Sequence, residues 1–301
     1  MVLTLSSGRF YSFESFNMLV QLSLLALLAP LSLASGPAPL AYEHPGQLFA
    51  SASTKSHGAS GVLTGTNSTG KFETVGGERK VNTYLAYPPH QSKNNTDVAI
   101  LYLSDIFGVQ LINNRLLADS FARAGYLVAE PDLFDGDAIP VDGLTDPSFN
   151  RTAWNERHPT EAIDAIVAST IAGLRQEYGV KRIAATGYCF GGKYVARFLA
   201  AGKGLDAGFT AHPSNVQDSE WEAIDAPLSI AYGELDASNT PTQRAAAEAI
   251  FISQNATFQT SLYAGAEHGF AVRTNITDPK KAFAQESAYF QAVRWIDAWA
   301  K

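Results

Sequence analysis

Short apolar runs alternate with amphipathic stretches along most of this chain. Val98–Leu103 is a continuous apolar run, which is typical of a strand buried on both faces of a sheet. The stretch from Leu111 to Ala124 has apolar residues at helical spacing and is stopped by Gly125. The same alternation predicts strands at 71–75, 80–87, 98–103, 126–129, 182–186, 209–212, 228–232 and 258–263, and helices at 111–124, 159–178, after 192, at 241–254 and at 279–301.

This order of elements predicts the fold class α/β, as a single domain with a doubly wound, mostly parallel sheet and helices on both faces. The pair Gly76-Gly77 between the first two strands is a hairpin signal. In such sheets, ligands bind beyond the carboxyl ends of the strands. The chemically active side chains that follow predicted strands should therefore gather on one edge; they are Asp105, Cys189, Asp236 and His268.

Two further expectations concern the loops and the last helix. The segment from Asp135 to His158 has no clear period and predicts a long irregular loop, which in a compact domain is usually functional or disordered. The closing helix is predicted to face the core with a mainly aromatic stripe, formed by Phe283, Phe290, Val293, Ile296 and Trp299.

Composition narrows the possible partners. The chain has 301 residues, of which 46% are hydrophobic, so it can form a sizeable core. Its formal net charge of −7 disfavours nucleic acid as a partner. The single cysteine excludes an intramolecular disulfide, and the sequence gives no indication of oligomeric state.

The amino terminus has the pattern of a secretion signal. Met18 to Ala34 is apolar and ends in small residues, so we predict a signal peptide at 1–34, with the start at either Met1 or Met18. Gln21 and Pro30 interrupt the apolar run, which disfavours a stable membrane span. Residues 35–69 are predicted to be a flexible leader and residues 70–301 the folded domain.

Glycosylation sequons agree with export. Five N-x-S/T triplets occur, beginning at Asn67, Asn94, Asn150, Asn255 and Asn275. We therefore predict a secreted glycoprotein.

The segment Gly187-Tyr188-Cys189-Phe190-Gly191-Gly192 has the nucleophile-elbow pattern, with cysteine where serine is usual. Such a turn exposes its nucleophile at the amino end of a helix, where the helix dipole favours a thiolate. The alternative is a structural cysteine beside an ordinary glycine-rich turn.

An acid and a histidine follow the elbow in the order of a hydrolase triad. Asp236 comes after the strand at 228–232, and His268 comes after the last strand. Glu234 is a rival to Asp236 for orienting the imidazole. His212 also follows a strand, but it precedes Pro213 and comes before the acid. No group of residues has convincing metal spacing, and no phosphate-binding motif is present, so we expect no metal and no cofactor.

These motifs resemble those of the dienelactone hydrolase family. The resemblance covers roughly residues 70–300 and rests on the elbow, on Asp236, and on the segments 105–108, 131–134 and 268–271. It implies an α/β-hydrolase fold with Cys189, Asp236 and His268 as the catalytic triad. It also implies an acid that activates the thiol at Asp105, where the best-known bacterial members have glutamate. The backbone N–H groups of Phe190 and Ile106 would form the oxyanion hole.

The resemblance also suggests how a substrate is held. Family arginines bind the substrate carboxylate, and Arg273 lies one residue from the expected position of one of them. Arg157 and Tyr188 complete the candidate substrate-binding residues, with Arg151 as another option. The predicted activity is hydrolysis of a lactone or carboxylic ester, with or without a free carboxylate, through a thioester acyl-enzyme. The alternative is a non-catalytic protein of the same fold that binds a small ligand.

Overall fold

The structure is a computed structural model that describes residues 67–89 and 97–301. The predicted signal peptide, most of the predicted leader and the sequon at Asn94 lie outside the described residues. Thr69, which the sequence analysis assigns to the leader, already contacts the domain, because its N–H donates to Asp119 at 2.7 Å.

One eight-stranded sheet organises the domain and confirms the predicted doubly wound architecture. Its strand order is β1-β2-β4-β3-β5-β6-β7-β8. β1 and β4 each pair antiparallel with β2, and all the other neighbours are parallel. The strands are β1 (Lys71–Val75), β2 (Val81–Ala86), β3 (Val98–Leu103), β4 (Leu127–Pro131), β5 (Arg182–Tyr188), β6 (Ala207–Ala211), β7 (Leu228–Gly233) and β8 (Phe258–Tyr263).

Apolar layers cover both faces of this sheet, so the central strands β3 and β5 are buried at every residue except the first, as their apolar runs predict. The helices of the described residues are α1 (Ile112–Arg123), α2 (Arg151–Arg157), α3 (Thr160–Tyr178), α4 (Phe190–Phe198), α5 (Asp218–Glu222), α6 (Pro241–Ser253) and α7 (Pro279–Trp299). None of them is long and apolar enough to cross a membrane.

The prediction of an irregular segment from Asp135 to His158 is wrong at its carboxyl end, where α2 forms. Asn150 caps this helix by accepting a hydrogen bond from Ala153 N–H at 3.0 Å. The helix buries Trp154 alone, and the indole N–H donates to the Asp137 carbonyl at 2.7 Å. One buried residue in seven leaves no helical period to detect, so the sequence pattern missed α2, as it also missed α5.

The predicted inward face of the last helix is also partly wrong. Val293 and Ile296 are buried, but Phe283, Phe290 and Trp299 are 67%, 39% and 42% exposed. The contact with the sheet is made instead by small side chains at helical spacing, Ala284, Ala288 and Ala292. Alanine lets the helix backbone lie close to the sheet, and bulky aromatic side chains on the same face would hold it away.

Candidate active site

Cys189 lies at a sharp turn between β5 and α4, in the strained conformation of a nucleophile elbow. Its φ of 52° and ψ of −111° are unusual for a residue with a side chain. α4 begins at Phe190, which is earlier than the sequence predicts, so Gly191 and Gly192 lie inside the helix. A Cβ at Gly191 would lie 2.1 Å from the Leu103 carbonyl oxygen, and one at Gly192 would lie 2.4 Å from Thr210 Oγ1. The glycines therefore allow the close packing that holds the turn.

Asp236 and His268 are joined by hydrogen bonds on the loops that follow β7 and β8. His268 Nδ1 lies 2.9 Å from Asp236 Oδ1 and 3.0 Å from Oδ2. The Asp236 side chain is completely buried, and it also accepts hydrogen bonds from Ser238 N–H at 2.8 Å and Asn239 Nδ2 at 2.9 Å. Glu234, the rival acid, instead accepts a hydrogen bond from Gly265 N–H.

The electrostatics of this pair favour a charged imidazole. Burial opposes protonation of His268, but its hydrogen bonds to Asp236 and Cys189, together with the charges of both, raise its pKa to about 10. Burial alone would raise the pKa of Asp236, but its hydrogen bonds with His268, Asn239 and Ser238 N–H outweigh burial and lower it. The site therefore favours a carboxylate beside an imidazolium at neutral pH.

The loop after β6 contributes two residues that the sequence analysis did not assign to the site. Ser214 Oγ lies 3.4 Å from Cys189 Sγ and 3.4 Å from His268 Nε2. His212 Nδ1 accepts a hydrogen bond from Cys189 N–H at 3.1 Å, and its ring lies edge-on to that of His268. His212 is the last residue of the strand predicted at 209–212 and Ser214 comes just after it, so their position at the carboxyl edge of the sheet was the available signal.

His212 has a structural environment unlike that of His268. It is fully buried, and burial, reinforced by the charge of His268, lowers its pKa well below the ordinary value. Because its Nδ1 accepts from the Cys189 amide, the neutral ring carries its proton on Nε2. His212 therefore fixes the backbone of the elbow and does not serve as the base in this arrangement.

The two backbone N–H groups expected to form an oxyanion hole are Phe190 and Ile106. Neither N–H donates a hydrogen bond to any described residue. Phe190 is the first residue of α4, and Ile106 follows β3, the neighbour of β5 in the sheet. The Ile106 carbonyl accepts a hydrogen bond from Ile139 N–H at 2.9 Å, which ties the loop before α2 to this position.

Asp105 is completely buried, but its carboxylate is bound to groups other than the thiol. It accepts hydrogen bonds from Phe107 N–H at 3.1 Å, Asn114 Nδ2 at 3.0 Å and Arg273 Nε at 3.1 Å. Among the described residues, no hydrogen bond joins Asp105 to Cys189. In this conformation Asp105 holds Arg273, so the expected contact with the resting thiol is not present.

The side chains of two of the three candidate substrate-binding residues already have partners within the protein. Tyr188 is 1% exposed and stacks on Tyr102 with ring centroids 4.9 Å apart, so it is a core residue in this structure. Arg157 donates from Nε to Asp137 at 2.8 Å and from its guanidinium to the Ala153 carbonyl, which holds it on α2. The reason in both cases is a closer partner that the sequence pattern does not reveal.

An aromatic cluster packs against the residue that follows the nucleophile. The rings of Phe134, Trp154 and His158 contact one another, and Phe134 lies 5.2 Å from the Phe190 ring. Asp137 anchors this cluster through Trp154 and through His158 Nε2 at 2.9 Å. The segment that carries α2 therefore forms one wall beside Phe190.

The site offers no arrangement for a metal ion. Within residues 67–89 and 97–301, no group of three or more His, Cys, Asp or Glu side chains could bind one. Acid, imidazole, hydroxyl and thiol at one edge of the sheet can instead support proton transfer and nucleophilic attack.

Comparison with known proteins gives consistent matches. Residues 81–299 match the model of the dienelactone hydrolase family. The hydrolase pyvD of Aspergillus violaceofuscus is 42% identical over 221 residues, which cover 73% of this chain and 88% of that protein. The hydrolase tropI of Talaromyces stipitatus is 38% identical over 231 residues, which cover 74% of this chain and 89% of that protein. A dienelactone hydrolase from Anabaena variabilis has a similar fold, with a TM-score of 0.56 at 14% identity over 77% of this chain and 99% of that chain.

Proposed function

Because this chain belongs to the dienelactone hydrolase family and is an ester or lactone hydrolase, we propose that it acts through a Cys189–His268–Asp236 triad and a thioester intermediate. The observation that carries this proposal is the hydrogen-bonded Asp236–His268 pair facing a cysteine in an elbow conformation. The order Cys, Asp, His along the chain agrees with this arrangement.

Acylation begins when the Cys189 thiolate attacks the carbonyl carbon of the ester or lactone. The carbonyl π electrons move to oxygen, and the oxyanion accepts hydrogen bonds from the free N–H groups of Phe190 and Ile106. When the oxyanion collapses, the C–O bond to the leaving group breaks, and His268 Nε2–H protonates the departing alkoxide. The products of this half-reaction are an alcohol and a thioester on Cys189; with a lactone, the alcohol stays attached to the acyl group.

Deacylation uses the same groups in the opposite protonation order. Neutral His268 removes a proton from water, and the resulting hydroxide adds to the thioester carbonyl. Collapse of the second tetrahedral intermediate expels the Cys189 thiolate and leaves the imidazolium beside it, which restores the charged groups with which acylation began. Asp236 keeps Nδ1 protonated in both half-reactions, so that Nε2 always faces the reacting atoms.

The alternative of a non-catalytic binding protein has less support, because the relatives at 42% and 38% identity both carry the name hydrolase. Turnover of an activated aryl ester and of simple lactones by the purified chain separates the two. Binding without turnover on every substrate would favour the alternative.

We also propose that Arg273 binds a carboxylate on the substrate. Its Nε is used by Asp105, and its guanidinium lies 4.5 Å over the Phe107 ring, but its two terminal nitrogens donate to no described residue. These nitrogens remain available to a carboxylate, which a guanidinium can bind through parallel hydrogen bonds.

Replacing Arg273 with alanine is expected to lower kcat/KM roughly ten- to a hundredfold on a carboxylate-bearing lactone. The corresponding neutral ester should be much less affected. The measurement is the ratio of kcat/KM on the lactone to kcat/KM on the neutral ester, for Arg273→Ala and for the unchanged protein. Any damage from leaving Asp105 unpaired should lower kcat/KM on both substrates equally and so leave this ratio unchanged. An unchanged ratio would discard the carboxylate-binding role.

Export through the secretory pathway remains our proposal from the amino-terminal pattern. Four of the five sequon asparagines lie within the described residues, and Asn67, Asn150, Asn255 and Asn275 are all exposed. We expect protein secreted from a eukaryotic host to begin near Ser35 and to lose mass on enzymatic deglycosylation. Intact mass before and after this treatment tests the expectation, and an unmodified chain that retains residues 18–34 would contradict it.

A further inference from the structure

We propose that the Ser214 hydroxyl is a further member of the catalytic site, which stabilises the Cys189 thiolate and the His268 imidazolium as an ion pair. This inference rests on the proposed role of Cys189 as nucleophile. The Ser214 oxygen lies at the same distance, 3.4 Å, from the sulfur and from the imidazole Nε2. No other described side chain forms hydrogen bonds of this geometry with both groups.

A hydroxyl suits this position because it can accept one hydrogen bond while it donates another. His268 Nε2–H would donate to Ser214 Oγ, and the Ser214 O–H would donate to the thiolate. The imidazole then donates a hydrogen bond from each nitrogen. Nδ1–H donates to the Asp236 carboxylate, and Nε2–H donates to the Ser214 oxygen, whose own proton points to the sulfur. Thiolate formation is balanced: the S–H proton passes to Ser214 Oγ as the Ser214 proton passes to Nε2.

Backbone contacts fix Ser214 in place independently of its side chain. Ser214 N–H donates to the Cys189 carbonyl at 3.0 Å, so the serine is tied to the elbow itself. The preceding residue, Pro213, accepts a hydrogen bond from Asn239 Nδ2 at 2.8 Å, and the same amide group donates to Asp236. The serine is therefore held relative to both the nucleophile and the acid.

The hydroxyl should matter more before acylation than after it. Once Cys189 carries the acyl group, the sulfur has no negative charge for Ser214 to stabilise. The sulfur already loses this charge when it attacks the carbonyl carbon, so the His268 Nε2–H is available to protonate the alkoxide as the tetrahedral intermediate collapses. Loss of the hydroxyl should consequently slow thioester formation and leave thioester hydrolysis less changed.

The other charged groups around the thiol must be considered in any pH measurement. His268 and Asp236 belong to the loops after β8 and β7, and His212 lies on the loop after β6. The Asp105–Arg273 pair completes the set, with Arg273 close enough to act on the pKa of His212. Ser214→Ala leaves all of these residues unchanged, so a shift in the pH profile reports the loss of the hydroxyl.

The test compares Ser214→Ala with Ser214→Thr, which keeps the hydroxyl. The rate of Cys189 alkylation by iodoacetamide is measured against pH, alongside pre-steady-state acylation by an activated aryl ester. For Ser214→Ala we expect the alkylation midpoint to move upward by about one to two pH units and acylation to fall roughly ten- to a hundredfold. Ser214→Thr should recover most of both, and Ser253→Ala, at the exposed end of α6, should match the unchanged protein in both.

Two outcomes overturn the proposal. A wild-type alkylation midpoint and acylation rate in Ser214→Ala would remove the hydroxyl from the mechanism. Equal losses in the alanine and threonine variants would assign the effect to packing. Failure of the proposed nucleophile is recognised separately, because Cys189→Ala would then retain turnover whatever Ser214 does.

Discussion

Replacement of Cys189 by alanine is expected to reduce kcat on an activated ester by on the order of 10⁶-fold, the size of effect found when a triad nucleophile is removed. The physical reason is that attack through sulfur and formation of the thioester both disappear. Ser214, the nearby hydroxyl, lacks the elbow conformation that directs Cys189 at a carbonyl next to the Phe190 N–H. We expect a residual rate of roughly 10³- to 10⁴-fold above the uncatalysed one, because the oxyanion-hole N–H groups and the binding site stay in place.

Mass spectrometry of the quenched reaction tests separately whether an acyl-enzyme forms. The unchanged protein should gain the mass of one acyl group on the peptide that contains Cys189, and Cys189→Ala should gain none. The thermal unfolding of Cys189→Ala should stay cooperative, because the change removes only the sulfur atom and its 3.4 Å contact with Ser214 Oγ. Turnover by Cys189→Ala within about tenfold of the unchanged protein would contradict the nucleophile assignment.

Replacement of Asp236 by asparagine is expected to lower kcat by on the order of 10⁴-fold, the cost found for the corresponding change in other triads. An amide can donate to Nδ1 and so favours the wrong imidazole tautomer. It also removes a negative charge that helps to raise the pKa of His268 to about 10. The pKa of His268 should therefore fall, and the imidazolium should be lost at a lower pH than in the unchanged protein.

The matched control is Glu234→Gln, two residues away on the same loop. Glu234 accepts its hydrogen bond from Gly265 N–H and does not contact His268, so its loss should leave kcat within about threefold. The measurement is kcat over a pH range for both variants. Equal losses in the two, or a larger loss in Glu234→Gln, would show that the acid has been assigned to the wrong residue.

The sequence predicts the fold well because its buried strands carry a strong signal. The continuous apolar run of β3 and the glycine-bounded elbow after β5 locate the centre of the sheet, and the parallel order then brings strand ends to one edge. The α2 helix had no such signal, because Trp154 alone is buried and its partner is a backbone carbonyl seventeen residues earlier. Local periodicity cannot report a helix held mainly by one distant contact.

In the candidate site, too, residues that belong to a local motif were predictable from the sequence, and residues defined by distant contacts were not. Spacing and order along the chain brought forward Cys189, Asp236 and His268, because each follows a strand at a recognisable motif. Ser214 carries no motif of its own, and its importance comes from distances to two side chains on other loops. The partners of Tyr188 and Arg157, a stacked ring and a carboxylate, were not predictable for a related reason, because such contacts become visible only in three dimensions.

The aromatic cluster of Phe134, Trp154, His158 and Phe190 has a consequence for how such a protein can diversify. The rings of Phe134 and Trp154 contact the Phe190 ring, whereas Asp236 and His268 are held by a different set of loops. The elbow tolerates little variation, because the space around Gly191 and Gly192 admits no larger residue. Natural variation at positions 134, 154 and 158 can therefore change the shape of the wall beside Phe190 while the machinery for proton transfer is inherited intact. Selection for a new substrate then has a route that is separate from selection to keep the chemistry.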